Sequence, residues 1–154
     1  MTRYLTFALA EEKFAMPLLN VKEVIAVPEI TPIPQTPPYF LGIMNLRGQI
    51  ITVMDLRVKL GLKAARTSET AVVICDLAPY TVGVVVDSVL SVLAAAQDRI
   101  SPKPELTGNK AEFIYGVYQS ENELTLLLDL PKTLNLADHA TMQRMVSQKE
   151  KQAA

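Results

Sequence analysis

FLGIMNLRGQIITVMDL, residues 40–56, lies over IYGVYQSENELTLLLDL, residues 114–130, without a gap and at an offset of 74. Gly42 falls on Gly116, Asp55 on Asp129 and Leu56 on Leu130, and nearly all apolar positions coincide. Leu124, Leu126, Leu128 and Leu130 recur with period two, the spacing that places side chains on one face of a strand. Upstream, residues 6–27 lie over 71–92 at an offset of 65, with Val21, Val24, Ile25 and Val27 over Val86, Val89, Leu90 and Val92. The offsets differ by nine residues, an insertion in the proline-bearing connection of the second half. Two long ungapped blocks in the same order indicate an internal duplication. The expected fold is all-β, with two similar lobes of about five strands each.

Strands are predicted near 4–10, 14–19, 21–27, 40–45, 49–55, 71–77, 80–86, 88–93, 113–119 and 123–129. Helix is predicted in three places: one turn over 58–62 ended by Gly61, a turn over 132–136, and a carboxy-terminal helix over 137–149. In the last, Met142, Met145 and Val146 share a face, and Asp138 lies near the positive amino end. Lobe one is placed at about 14–70 and lobe two at about 71–136, with exchange of a strand from 1–13 between them. Residues 137–154 form the helix and a polar tail. KAARTSET, residues 63–70, has no apolar periodicity and reads as the lobe-to-lobe connection. VPEITPIPQTPP and ISPKPEL are too apolar for flexible linkers and read as extended segments closing barrel ends. Lobes of this size bury too little core to be stable alone, so they are expected to pack together.

Composition removes several function classes. The chain has 154 residues, 49% apolar, with a formal net charge of −1. That balance offers no electrostatic basis for bulk binding to nucleic acid or anionic lipid. No apolar run approaches the roughly 20 residues of a membrane-spanning helix, and Glu11, Glu12 and Lys13 interrupt the only stretch resembling a signal peptide. Cys75 is the single cysteine and reads as a buried thiol of a cytoplasmic protein. There is no zinc-spaced Cys/His cluster, HExxH, GxSxG, P-loop or GxGxxG. His139 is read as exposed and inert, Asp87 as solvated, and Tyr115 and Tyr118 as packing residues. Asp55 and Asp129 occupy the same repeat position at the end of a strand, as expected for carboxylates that accept backbone N–H groups. No catalytic or metal site emerges, and a binding module is favoured over an enzyme.

The repeat also supplies an internal control. The first tip reads Asn45-Leu46-Arg47-Gly48 and the second Gln119-Ser120-Glu121-Asn122. The second is an ordinary solvent-facing hairpin, so the scaffold does not demand Leu and Arg in the first. Either they pack on the neighbouring lobe, with Arg47 paired to a carboxylate such as Glu23, or they belong to a surface that grips another protein.

FLGIMNLRGQIITVMDLRVKLGL, preceded by VKEVIAV and ITPIPQTP, closely resembles the CheW family of bacterial chemotaxis coupling proteins. Its central pattern is G-x-x-N-L-R-G-x-I-x-P-V-x-D-L-R. Gly42, Asn45, Leu46, Arg47, Gly48, Ile50, Val53, Asp55, Leu56 and Arg57 match it, and Thr52 replaces the proline. The resemblance runs over residues 3–136. It implies two packed five-stranded SH3-like barrels with a carboxy-terminal helix, and a non-catalytic adaptor without cofactors. Such a protein links the cytoplasmic tips of methyl-accepting chemoreceptors to the regulatory domain of a CheA-type histidine kinase, in membrane-associated arrays that include rings of CheW-like proteins. It also implies a receptor-binding groove at Val21, Glu23, Asn45, Leu46, Arg47 and Gly48, bordered by a Glu23–Arg47 ion pair. The alternative within the same resemblance is an adaptor of a type IV pilus or other chemosensory-like kinase pathway.

Overall fold

AVVICDL and YTVGVVV are apolar at nearly every position, where a half-exposed strand would alternate. A computed structural model, which describes residues 2–102 and 113–153, gives the reason. In β6 (Ala71–Leu77), Val72 and Ile74 face the interior of one barrel, whereas Ala71, Val73 and Cys75 face a larger core between two barrels. Strand β7 (Tyr80–Val86) divides likewise, with Val85 inside and Val82, Val84 and Val86 between the barrels. Strands buried on both faces lose the period-two pattern.

The remaining strands are β1 (Thr2–Leu9), β2 (Glu12–Pro17), β3 (Val21–Ala26), β4 (Phe40–Leu46), β5 (Gln49–Asp55), β8 (Ser88–Ala95), β9 (Ile100–Pro102), β10 (Ile114–Ser120) and β11 (Glu123–Leu128). Barrel A is the sheet β8-β1-β2-β11-β10-β9, and barrel B is β3-β6-β7-β5-β4. Each has its own small interior, Tyr4, Ala15, Ala95, Tyr118 and Leu127 in A and Met44, Ile51, Val53, Val72, Ile74 and Val85 in B. The fold is the expected pair of packed SH3-like barrels, with β9 a short addition to the first.

The duplication is visible bond by bond. Both β4–β5 and β10–β11 carry a register shift, between Phe40 and Gly42 and between Ile114 and Gly116. Asp55 donates its N–H to the Tyr39 carbonyl at 2.7 Å, and Asp129 donates to that of Phe113 at 2.7 Å. Asp55 caps α1 (Leu56–Lys59) by accepting from the N–H of Arg57, and Asp129 caps α2 (Leu130–Thr133) by accepting from that of Lys132. These strand-end carboxylates accept backbone N–H groups as the repeat predicted, and in doing so cap the two short helices. The caps also set the helix starts. Both short helices begin two residues earlier than periodicity indicated, and Gly61, at φ +74°, follows the first.

The repeat halves and the barrels do not coincide. Barrel A takes β1 and β2 from the first half and β8, β10 and β11 from the second; barrel B takes β3, β4 and β5 from the first and β6 and β7 from the second. The exchange is a reciprocal trade of hairpins, larger than the single amino-terminal strand expected. The chain crosses between sheets at Leu18–Asn20, a turn of 3₁₀ helix that ends the second strand at Pro17, and again at Asp87. Residues 63–70 join α1 to β6 inside barrel B, so they connect the repeat halves and not the barrels. Helix α3 (Leu136–Ala153) packs on β4 and β5 and buries Met142 and Met145 in the interbarrel core. Of the two proline-rich segments, 27–39 is irregular, pairs with β4 through Thr31 and Ile43, and sends Ile30 into barrel B and Ile33 onto the interbarrel core. The second runs from β9 into 103–106, which lie outside the described residues.

Candidate protein-binding site

The β4–β5 hairpin closes through a two-residue turn, Arg47-Gly48, flanked by the pair Leu46 and Gln49. Both turn residues have positive φ, +50° and +88°, as in the tight turns that match strand twist. Asn45 stabilises that turn, its Oδ1 accepting the N–H of Gly48 at 2.8 Å. Leu46, the last residue of β4 before the turn, is half-buried: it packs on the interior of barrel B and leaves only part of its side chain to solvent. Arg47 is exposed. Its Nη2 donates to Oε2 of Glu23, on β3, at 2.5 Å. Strands β3 and β4 are the two edges of the same sheet, so the ion pair spans the seam of barrel B. The hydrogen bond from Arg47 holds the Glu23 carboxyl below its usual range, outweighing the opposing effect of desolvation. Two residues along β3, Val21 packs on the interbarrel core. The six predicted residues therefore fall on two neighbouring features of one barrel, the start of β3 and the β4–β5 turn.

The other hairpin tip has the same length and the same flanking pair, but not the same side chains, and Asn122 does not share the positive φ of Gly48. Glu121 takes φ +47° at the position of Arg47, and Ser120 pairs with Glu123 as Leu46 pairs with Gln49. An ion pair of that barrel, Lys13 with Glu123 at 3.2 Å, runs between β2 and β11, outside the turn. The guanidinium is thus not required to close the turn.

A family model described as the CheW-like domain matches residues 3–138. The chain belongs to the CheW-like family. The chemotaxis protein CheW of Klebsiella aerogenes is 32% identical over 89% of this chain and 84% of its own length. That of Treponema pallidum is 33% identical over 82% and 78%, and Protein FrzA of Myxococcus xanthus is 30% identical over 92% and 90%. The crystal structure of the scaffolding protein TtCheW from Thermoanaerobacter tengcongensis superimposes with a TM-score of 0.82, at 29% identity, covering 89% of this chain and 94% of that one.

The CheW-like motif ends in Asp-Leu-Arg, and here the structure corrects the reading of Asp87. Arg57 is buried and bidentate to Asp55, Nε to Oδ1 and Nη2 to Oδ2, both at 3.0 Å. Its Nη1 donates to Asp87 at 2.7 Å and to the Ala65 carbonyl at 2.7 Å. Asp87 also accepts the N–H of Ala10 and donates its own to the Ala8 carbonyl. It is a tie at the second crossing between barrels, not a solvated side chain. The repeat comparison missed it because Asp87 aligns with Lys22. A buried arginine ten residues after an exposed one leaves no periodic signal.

Two smaller corrections follow. His139 is half-buried, its ring 5.4 Å from that of Tyr80. Tyr115 is 39% exposed, while Tyr118 is buried in barrel A as expected. Among the described residues, no group of three or more His, Cys, Asp and Glu could hold a metal ion, and no helix is long and apolar enough to cross a membrane.

Proposed function

We propose that this CheW-like protein is a non-catalytic adaptor that couples methyl-accepting chemoreceptors to a CheA-type histidine kinase in chemotaxis signalling. Val21, Glu23, Asn45, Leu46, Arg47 and Gly48 bind the cytoplasmic tip of the receptor. The regulatory domain of the kinase docks elsewhere on the paired barrels. The protein works in the cytoplasm, recruited to receptor arrays at the membrane, where further CheW-like copies complete rings.

The observation that carries this reading is the asymmetry between twin hairpins. A solvent-exposed guanidinium, pre-oriented by Glu23 and placed beside half-buried Val21 and Leu46, stands where the duplicate tip carries Glu121 and no cross-strand partner. An arginine held in one geometry next to apolar surface suits a partner interface. The edge strands β3 and β8 also expose Val24, Leu90 and Val92, at 41%, 50% and 54%, apolar surface suited to docking.

The test is a calorimetric titration of the protein, and of Arg47→Ala, against the isolated regulatory domain of the cognate kinase and against a receptor-tip fragment. Saturable binding to both is expected, with the variant losing the receptor and keeping the kinase. If no kinase regulatory domain from the same genome binds, the adaptor reading is wrong. If Arg47→Ala binds the receptor normally, the site is misplaced.

A further inference from the structure

Helix α3 grows from barrel A and is tied to barrel B. Its covalent root is β11, through α2 and Asn135. Asn135 and Asp138 close its first turn reciprocally. The Asp138 N–H donates to Oδ1 of Asn135 at 2.8 Å, and the Asn135 N–H donates to Oδ2 of Asp138 at 3.1 Å. The buried Asp138 carboxylate then reaches across. It accepts the Tyr39 hydroxyl, and Lys59 donates to it at 2.9 Å while lying 4.2 Å over the Tyr39 ring. Burial alone would raise the Asp138 carboxyl; the hydrogen bonds from Tyr39, Lys59 and Asn135 outweigh it and hold the group below its usual value. Further along, His139 packs on Tyr80, Arg144 Nη2 donates to the Gln35 carbonyl at 2.9 Å, and Met142 and Met145 enter the interbarrel core. These contacts fall on residues 35–80 of barrel B or in the core between the barrels.

The repeat shows that the latch is special to one half. Tyr39 aligns with Phe113, which has no hydroxyl, and Lys59 with Thr133, which has no ammonium. The family match ends at residue 138, within the first turn of α3, so Met142, Met145 and Arg144 lie beyond it.

We propose that α3 is a strap that fixes the orientation of one barrel against the other, with Asp138, Tyr39 and Lys59 as its latch. Val21 packs at the junction of the barrels, so the strap also sets the geometry of the surface at Val21, Glu23 and Arg47. That last consequence rests on the function proposed above; the strap itself does not.

The test measures backbone residual dipolar couplings of the full chain, fitted separately for residues 21–86 and for 2–17 with 88–102 and 114–128. In the native protein one alignment tensor should fit both barrels. In Asp138→Ala, and in a chain ended after Asn135, the common tensor should be lost while each barrel still fits its own. If the truncated chain does not fold, Asp138→Ala and Lys59→Met decide the matter. A single tensor retained in folded latch variants overturns the proposal. Receptor-fragment titration forms a separate arm. If the native protein does not bind, the functional reading fails, and the tensor result still decides the strap.

Discussion

Arg57→Met should cost this protein far more stability than any change at the exposed Arg47. The substitution keeps an unbranched side chain of similar reach and removes the charge with all four of its hydrogen bonds. Asp55 remains behind with its side chain 6% exposed, and Asp87 with 25%. Breaking a buried ion pair by removing one partner costs about 3–5 kcal/mol, because the survivor is an uncompensated buried charge. Asp87 can recover some hydration, which places the expected loss near the lower end, at about 3 kcal/mol. For a chain of this length each kcal/mol moves the thermal midpoint by roughly 2–4 °C, so a fall of about 6–12 °C is expected. Urea unfolding followed by circular dichroism gives the free energy, and the slope should be unchanged if only stability is altered. Adding Asp55→Asn should then recover part of the loss. Asparagine still caps α1 and no longer strands a charge. A loss below about 1 kcal/mol, the range of exposed pairs, would refute the reasoning. So would a double variant less stable than Arg57→Met.

Gly42→Ala should destabilise by more than about 1 kcal/mol, since φ is +144° and an added Cβ would lie 2.0 Å from the Thr31 carbonyl oxygen. Its repeat twin Gly116→Ala should be milder, because the nearest atom there, the Ser101 carbonyl oxygen, is 3.1 Å away. The pair can be compared by thermal melts. By carboxyl NMR, Glu23 should titrate below an ordinary glutamate and return towards it in Arg47→Ala, since the Arg47 hydrogen bond is the main cause. Its folded value is depressed, so any contribution of the pair is complete above the unfolded value and is lost as pH falls through the folded one. Cys75, buried and pushed up to about 12 by burial, should resist a thiol reagent at pH 8 and react only on unfolding; rapid labelling of folded protein would contradict its placement.

Much of the fold was legible because duplication repeats its own evidence. Gly42 with Gly116 and Asp55 with Asp129 marked equivalent positions, which the structure shows to be bulges and caps. Alternation in LTLLLDL found the face of β11 on which Leu126 and Leu128 meet the interbarrel core, but Leu124 on that face is 60% exposed, and Thr125 and Leu127 are buried on the other. Which hairpin joins which barrel was not legible, because β6 and β7 are apolar on both faces and their periodicity names no partner. Local pattern also cannot identify a pairing at distance. Asp87 bonds to Arg57 across thirty residues of chain, and Asp138 to Tyr39 across ninety-nine. The candidate site was suggested where the halves differ, at Arg47 against Glu121, and the structure supplies the Glu23–Arg47 ion pair there. The fate of Leu46 was not legible, since a strand residue beside a tight turn can pack partly inward without any periodic signal.

The traded hairpins have a consequence for how such a molecule could arise. Two separate copies of one half-chain, each lending its first hairpin to the other, would build both barrels as a swapped homodimer with identical tips at its two ends. Fusing such copies would remove the dependence on concentration and free each tip to differ from its twin, as Asn45-Leu46-Arg47-Gly48 differs here from Gln119-Ser120-Glu121-Asn122.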